Sequence, residues 1–161
     1  RSLALAAIAT LALGAGVAHA DEVMCNGRIE AVSIDGDVKV PSNVACTLAG
    51  TRVDGNVKVE SGASLAAQNA RIDGNVQAEN HRQVNLAGGM VDGSVQLKQG
   101  GGANISGVTV NGDIQLFENR GAQSVRNNRV DGNLQCKSNQ PAPTGGGNIV
   151  KGNKEDQCAR L

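Results

Sequence analysis

Cysteines, acids, amides and a histidine outside the apolar N-terminal stretch carry whatever chemistry this chain can do, and their spacing is more telling than their number. The cysteines are Cys25, Cys46, Cys136 and Cys158, with separations of 21 within the first pair and 22 within the second. Paired thiols can form a disulfide, exchange electrons or hold a soft metal. The chain has no C-x-x-C, and His81 is remote from both pairs, so metal and redox chemistry lack their usual partners. A second set is a row of acids, Asp35, Asp54, Asp73, Asp92 and Asp131, with Asn111 on one rung. Such carboxylates could hold calcium together with backbone carbonyls, or accept hydrogen bonds within their own turns. Arg52, Arg71 and Arg129 stand two residues before three of these acids and are placed to neutralise them.

The third set is rich in amides: Asn56, Lys58, Asn75, Gln77, Gln96, Gln115, Asn133 and Gln135, with Asp37, Lys39, Ser94 and Asp113 at matching positions. Amide ladders hold stacked strands together, and the same flat polar face could receive a glycan or another protein. Glu79, His81 and Arg82 form the one cluster with acid–base potential. No nucleophile accompanies them, and a lone histidine of this kind is expected at the surface. The residues therefore predict no catalytic group, no metal ligand and no cofactor, and the chain is not expected to be an enzyme.

What positions these residues is a repeat. Glycines at 36, 55, 74 and 93 are 19 apart, and those at 112, 132 and 152 continue the series with steps of 19, 20 and 20. Each sits in one phrase: Ile34-Asp35-Gly36-Asp37-Val38, Val53-Asp54-Gly55-Asn56-Val57, Ile72-Asp73-Gly74-Asn75-Val76, and so on to Val130-Asp131-Gly132-Asn133-Leu134. A fixed period of this length means one small unit stacked on copies of itself. After the glycine, apolar residues alternate with polar ones, as in Val57-Lys58-Val59 and Val95-Gln96-Leu97, the signature of a strand with one buried face. Leu48, Ala67, Leu86, Ile105 and Val125 supply a second strand.

Each coil thus contributes two or three short strands joined by Gly, Asn and Asp turns, whose residues tolerate positive φ. The most variable segments, Gly62-Ala63-Ser64, Asn80-His81-Arg82, Gly100-Gly101-Gly102 and Asn119-Arg120-Gly121, read as outward corners. Asp-Gly and Asn-Gly also suit hairpins, but the near-constant period favours stacking. The expected fold is all-β, a single-stranded right-handed parallel β-helix (β-solenoid) of about 19–20 residues per coil. Stacked rungs lie about 4.8 Å apart, giving a rod on the order of 30 Å long.

The phrase Val53-Asp54-Gly55-Asn56-Val57, repeated at this spacing, resembles the coils of bactofilins over residues 29–138. The resemblance implies a right-handed β-helix and end-to-end polymerisation, and right-handed crossover is also the usual chirality. Two features depart from that family: signs of export, and cysteines near both ends of the array.

Residues 2–20 are apolar, contain no acid and end in Ala18-His19-Ala20. With Arg1 before them, residues 1–20 read as a signal peptide cut before Asp21. Residues 21–28 are expected as an N-terminal cap segment, 29–138 as the solenoid, and 139–161 as a Pro/Gly-rich segment with a C-terminal cap. One coil separates the members of each cysteine pair, so stacking brings them within disulfide reach. Export supplies the oxidising compartment. The expected bridges are Cys25–Cys46 and Cys136–Cys158.

The formal net charge is zero, which excludes a nucleic-acid binder held by basic excess, and no apolar run after residue 20 is long enough to span a bilayer. Phe117 is the only aromatic residue, so the stacking platforms of an ordinary sugar cleft are absent. Prolines and charges near both ends oppose edge pairing and point to a monomer or small oligomer. The function expected is that of an exported, non-catalytic structural or interaction module, periplasmic or secreted from a bacterium, with an envelope or extracellular partner. The alternatives are a glycan- or calcium-binding module and a bactofilin-like exported polymer.

Overall fold

Alternation sets the strands, and the glycine phrase sets how closely they stack. A computed structural model describes residues 21–161; the expected signal peptide lies outside the described residues. The chain winds through three parallel sheets, one strand of each per coil, in about seven coils. One coil is typical: Val57–Val59 in sheet 1, Ser64–Gln68 in sheet 2 and Arg71–Ile72 in sheet 3, before Val76–Glu79 returns to sheet 1. Every strand pair is parallel, so the hairpin alternative is excluded. The second apolar series predicted from the sequence runs in register through sheet 2, with Leu48 on Ala67, Leu86 and Ile105.

The core is a column of aliphatic rungs. Val38, Val57, Val76, Val95, Ile114 and Leu134 stack along sheet 1, and Val53, Ile72, Val91, Val110 and Val130 along sheet 3, all buried. Burying each such side chain stabilises the fold by about 1.5–3 kcal/mol before entropy is counted. Branched aliphatics fill a narrow column without aromatic rings, which accounts for Phe117 standing alone.

The glycines of the phrase act differently from the turn role expected of them. Only Gly36 has a positive φ, 115°. At Gly74 and Gly93 a Cβ would sit 2.6 Å from the carbonyl oxygen of the phrase glycine one coil below. The residue is glycine because successive coils approach too closely for any side chain. Positive φ falls on other corners, including Asn69, Gly88, Gly107 and Asn127 where sheet 2 turns into sheet 3.

The sheets extend beyond residues 29–138 at both ends. Val23–Met24 and Gly27–Glu30 open sheets 1 and 2, while Thr144–Gly146, Ile149–Val150 and Lys154–Asp156 close sheets 2, 3 and 1. Residues 139–161 therefore add a further coil after the loop that holds Pro141 and Pro143, and then a final turn at 157–160.

Candidate functional site

Three corners join the sheets, and each carries a ladder of polar side chains. Where sheet 3 turns into sheet 1, the residue after each phrase glycine accepts the backbone N–H of its counterpart one coil on. Asn56 N–H donates to Asp37 Oδ1 (2.7 Å), Asn75 N–H to Asn56 Oδ1 (2.8 Å) and Ser94 N–H to Asn75 Oδ1 (2.8 Å). The series continues through Asp113 to Ser94 Oγ, Asn133 to Asp113 Oδ1 and Asn153 to Asn133 Oδ1. Asn56, Asn75 and Asn133, expected on the polar face, belong to this corner. Donation from the Asn56 N–H, and then from Lys58, holds the Asp37 carboxyl below its ordinary range, and the same pair raises Lys58.

The other two ladders are buried and were not legible in the sequence. Between sheets 1 and 2, Gly100 N–H donates to Asn119 Oδ1 (2.9 Å), Asn119 N–H to Asn139 Oδ1 (3.0 Å) and Asn139 N–H to Gln157 Oε1 (2.9 Å). The Nδ2 groups of Asn119 and Asn139 cap the carbonyls of Leu97 and Leu116. Between sheets 2 and 3, Asn128 and Asn148 do the same, capping Ile105 and Val125. Backbone groups freed by each turn thus find partners inside the column, as burial demands.

The acid row lies at the sheet 3 to sheet 1 corner, and arginines cross-link it. Arg52 donates to Asp54 (3.1 Å) and Asp73 (2.9 Å), and Arg71 to Asp73 and Asp92 (both 3.1 Å). Burial opposes the Asp73 charge, yet Arg71 and Arg52 outweigh it and keep its pKa lowered. Asn111 Nδ2 donates to Asp92. Asp131 pairs with Lys151 (3.0 Å) and not with Arg129. Among the described residues no group of three or more His, Cys, Asp or Glu is disposed to hold a metal ion.

On the outer face of sheet 1 the glutamines form one chain. Gln77 Nε2 donates to Gln96 Oε1 (3.3 Å), Gln96 to Gln115 (3.0 Å), Gln115 to Gln135 (2.9 Å) and Gln135 to Glu155 (3.0 Å). Lys58 pairs with Asp37 (2.9 Å) and Glu22 (3.4 Å) instead. Each amide keeps free hydrogen-bonding capacity facing solvent, so the face remains able to meet a polar surface.

His81 departs from its expected place. It was expected at the surface, but it is 2% exposed, and neither ring nitrogen has a hydrogen-bond partner. Asn80 adopts φ 54°, which swings the following residue inward, so the corner read as outward has a buried middle position. Burial lowers the His81 pKa. The imidazole occupies the room that a Cβ on Gly100 would need, 2.2 Å from its Nδ1.

The disulfides close the column. Cys25–Cys46 and Cys136–Cys158 are bonded, with Cα–Cα distances of 5.6 and 5.4 Å, and all four residues are buried. Cys46 stacks against Leu65, and Cys136 against Leu116. Each bridge therefore plugs one end of the aliphatic core. Bonded cysteines of this kind fit an oxidising, extracellular or periplasmic setting. Among the described residues no helix is long and apolar enough to cross a membrane.

No family model, curated protein or solved structure matches this chain. The likeness to bactofilins accordingly rests on the coil phrase alone.

Proposed function

We propose that the chain is an exported, non-catalytic β-solenoid that serves as a structural or interaction module of the cell envelope or extracellular space. The observation that carries this reading is the disulfide at each end of the column. Covalent plugs suit a small protein that must keep its shape where thiols are oxidised. The chemistry-bearing sets support the same reading, because they are engaged in holding coils together. Asp54, Asp73 and Asp92 are tied to arginines and Asp131 to Lys151, the asparagines to backbone N–H groups, and His81 is buried away from any reactant. The cross-links weigh against a calcium array, since four of its five carboxylates, Asp54, Asp73, Asp92 and Asp131, already have cationic partners. Proline and charge at the ends weigh against a polymer.

Light scattering with negative-stain microscopy on the oxidised protein, before and after reduction, tests the assembly part. A monomer or small oligomer in both states is expected. Filaments in the oxidised state would overturn the module reading in favour of the polymer.

A glycan-binding role has one observation of its own in favour, a polar hollow at the sheet 1 to sheet 2 corner.

A further inference from the structure

The hollow has a volume of about 580 Å³ and is lined by Asn80, Gln99, Glu118, Arg120, Ser138 and Gln140. That size lies within the roughly 300–1,000 Å³ typical of small-molecule sites. His81 packs just inside this corner. The buried imidazole demands glycine at 100, and at Gly101 a Cβ would meet the Arg82 carbonyl oxygen at 2.2 Å. Gly101 stacks between Arg82 below and Arg120 above, through Gly102 N–H to Arg82 O and Arg120 N–H to Gly100 O. One coil therefore lacks a side chain where its neighbours carry one, and Arg82 does not reach the hollow, whose wall is built from the four coils that hold Asn80, Gln99, Glu118 and Ser138.

We propose that this hollow binds a carboxylate-bearing glycan, with Arg120 holding the carboxylate. The proposal rests on the reading of the protein as a non-catalytic interaction module and names its ligand class. Asn80, Gln99, Glu118 and Ser138 occupy successive rungs, so polar groups repeat about every 4.8 Å along the wall. That repeat is close to the length one sugar residue adds to an extended glycan. Amide, hydroxyl and carboxylate side chains match sugar hydroxyls as donors and acceptors. Gln99 Nε2 donates to Glu118 Oε2 (3.2 Å), which orients the carboxylate and leaves its other oxygen to accept from hydroxyls. Arg120 is exposed and, like Arg82, Arg126 and Arg129, makes no ion pair among the described residues; of these it alone lines the hollow. Its planar fork suits a carboxylate. Without an aromatic platform a neutral glycan has no stacking surface here, so the charge supplies the anchor. The inner Asn119–Asn139–Gln157 ladder keeps the wall rigid before the ligand arrives.

The test is an NMR titration of the ¹⁵N-labelled oxidised protein with tri-galacturonate and with a hyaluronate tetrasaccharide. Saturable shifts confined to the six lining residues are expected with at least one of them. Arg120→Ala should weaken binding by about tenfold or more, the loss expected for a charge-assisted pair, and Arg82→Ala should not. Arg120 is solvent-exposed, so the melting temperature of its variant should stay unchanged and a folding defect is separable. No saturable shift with either ligand, equal shifts with cellotriose or tri-aspartate, or binding that survives Arg120→Ala would each overturn the proposal. Signals of shortened oligosaccharides would contradict the non-catalytic reading while leaving binding intact, so the two failures are distinguishable.

Discussion

Replacing Asn119 with alanine removes one rung from the middle of a buried ladder. The Asn119 side chain is wholly buried and makes three bonds: it accepts from Gly100 N–H (2.9 Å) and donates to Leu97 O and Asn139 Oδ1 (both 3.0 Å). After truncation the Gly100 N–H has no protein acceptor. An orphaned buried donor costs about 1–3 kcal/mol, and each further lost bond about 0.5–1.5 kcal/mol. A total of about 3 kcal/mol follows for Asn119→Ala, with some relief if a water enters the space. Asn56→Ala is the control. Its Oδ1 also accepts a backbone N–H, that of Asn75, but at a half-buried corner where water can substitute. About 1 kcal/mol is expected there. Urea unfolding followed by circular dichroism measures both, with unchanged slopes as the check on two-state behaviour. Equal losses for the two variants would refute the claim that burial makes the inner ladder the stronger tie.

Other consequences are equally direct. Reducing either disulfide should destabilise its end of the rod by about 3 kcal/mol, the chain-entropy value for loops of this length, and hydrogen exchange should rise first in the coil next to the broken bridge. Gly93→Ala forces a Cβ against the Gly74 carbonyl oxygen at 2.6 Å and should cost about 1–3 kcal/mol as overpacking; a neutral result in thermal melts would show that the coils can separate freely. His81 has its folded pKa lowered from 6.5 by burial. The unfolded chain thus takes up the proton first, and stability should fall as pH drops below about 6.5. His81→Met should remove that slope, and a slope that persists in the variant would assign it to other groups.

Much of the fold could be read from periodicity, because stacking forces each rung to reuse the same residue type. The apolar alternation, the glycine phrase and the one-coil cysteine separation each follow from a single geometric fact, and all reappear in the sheets. What escaped was local. His81, Gly100, Asn119 and Asn139 share one corner position, but only the last two are the same residue type. Nothing in their pattern says that an αL residue before them turns the side chain inward. The Asn128 and Asn148 rungs were hidden for a similar reason, since earlier coils have Ala70, Gly89 and Val108 at that place. The phrase glycine was visible, but its reason was not: only the distance between coils separates a steric demand from a demand for positive φ. The hollow was illegible because its lining residues, from Asn80 to Gln140, come from four successive coils and are of no single residue type.

Mass spectrometry of non-reduced peptides from the protein recovered by cell fractionation tests the account most directly. It should find Cys25 linked to Cys46 and Cys136 linked to Cys158, in the exported fraction, with a chain beginning at Asp21. Free thiols in a cytoplasmic chain, or bridges joining one end of the array to the other, would contradict it.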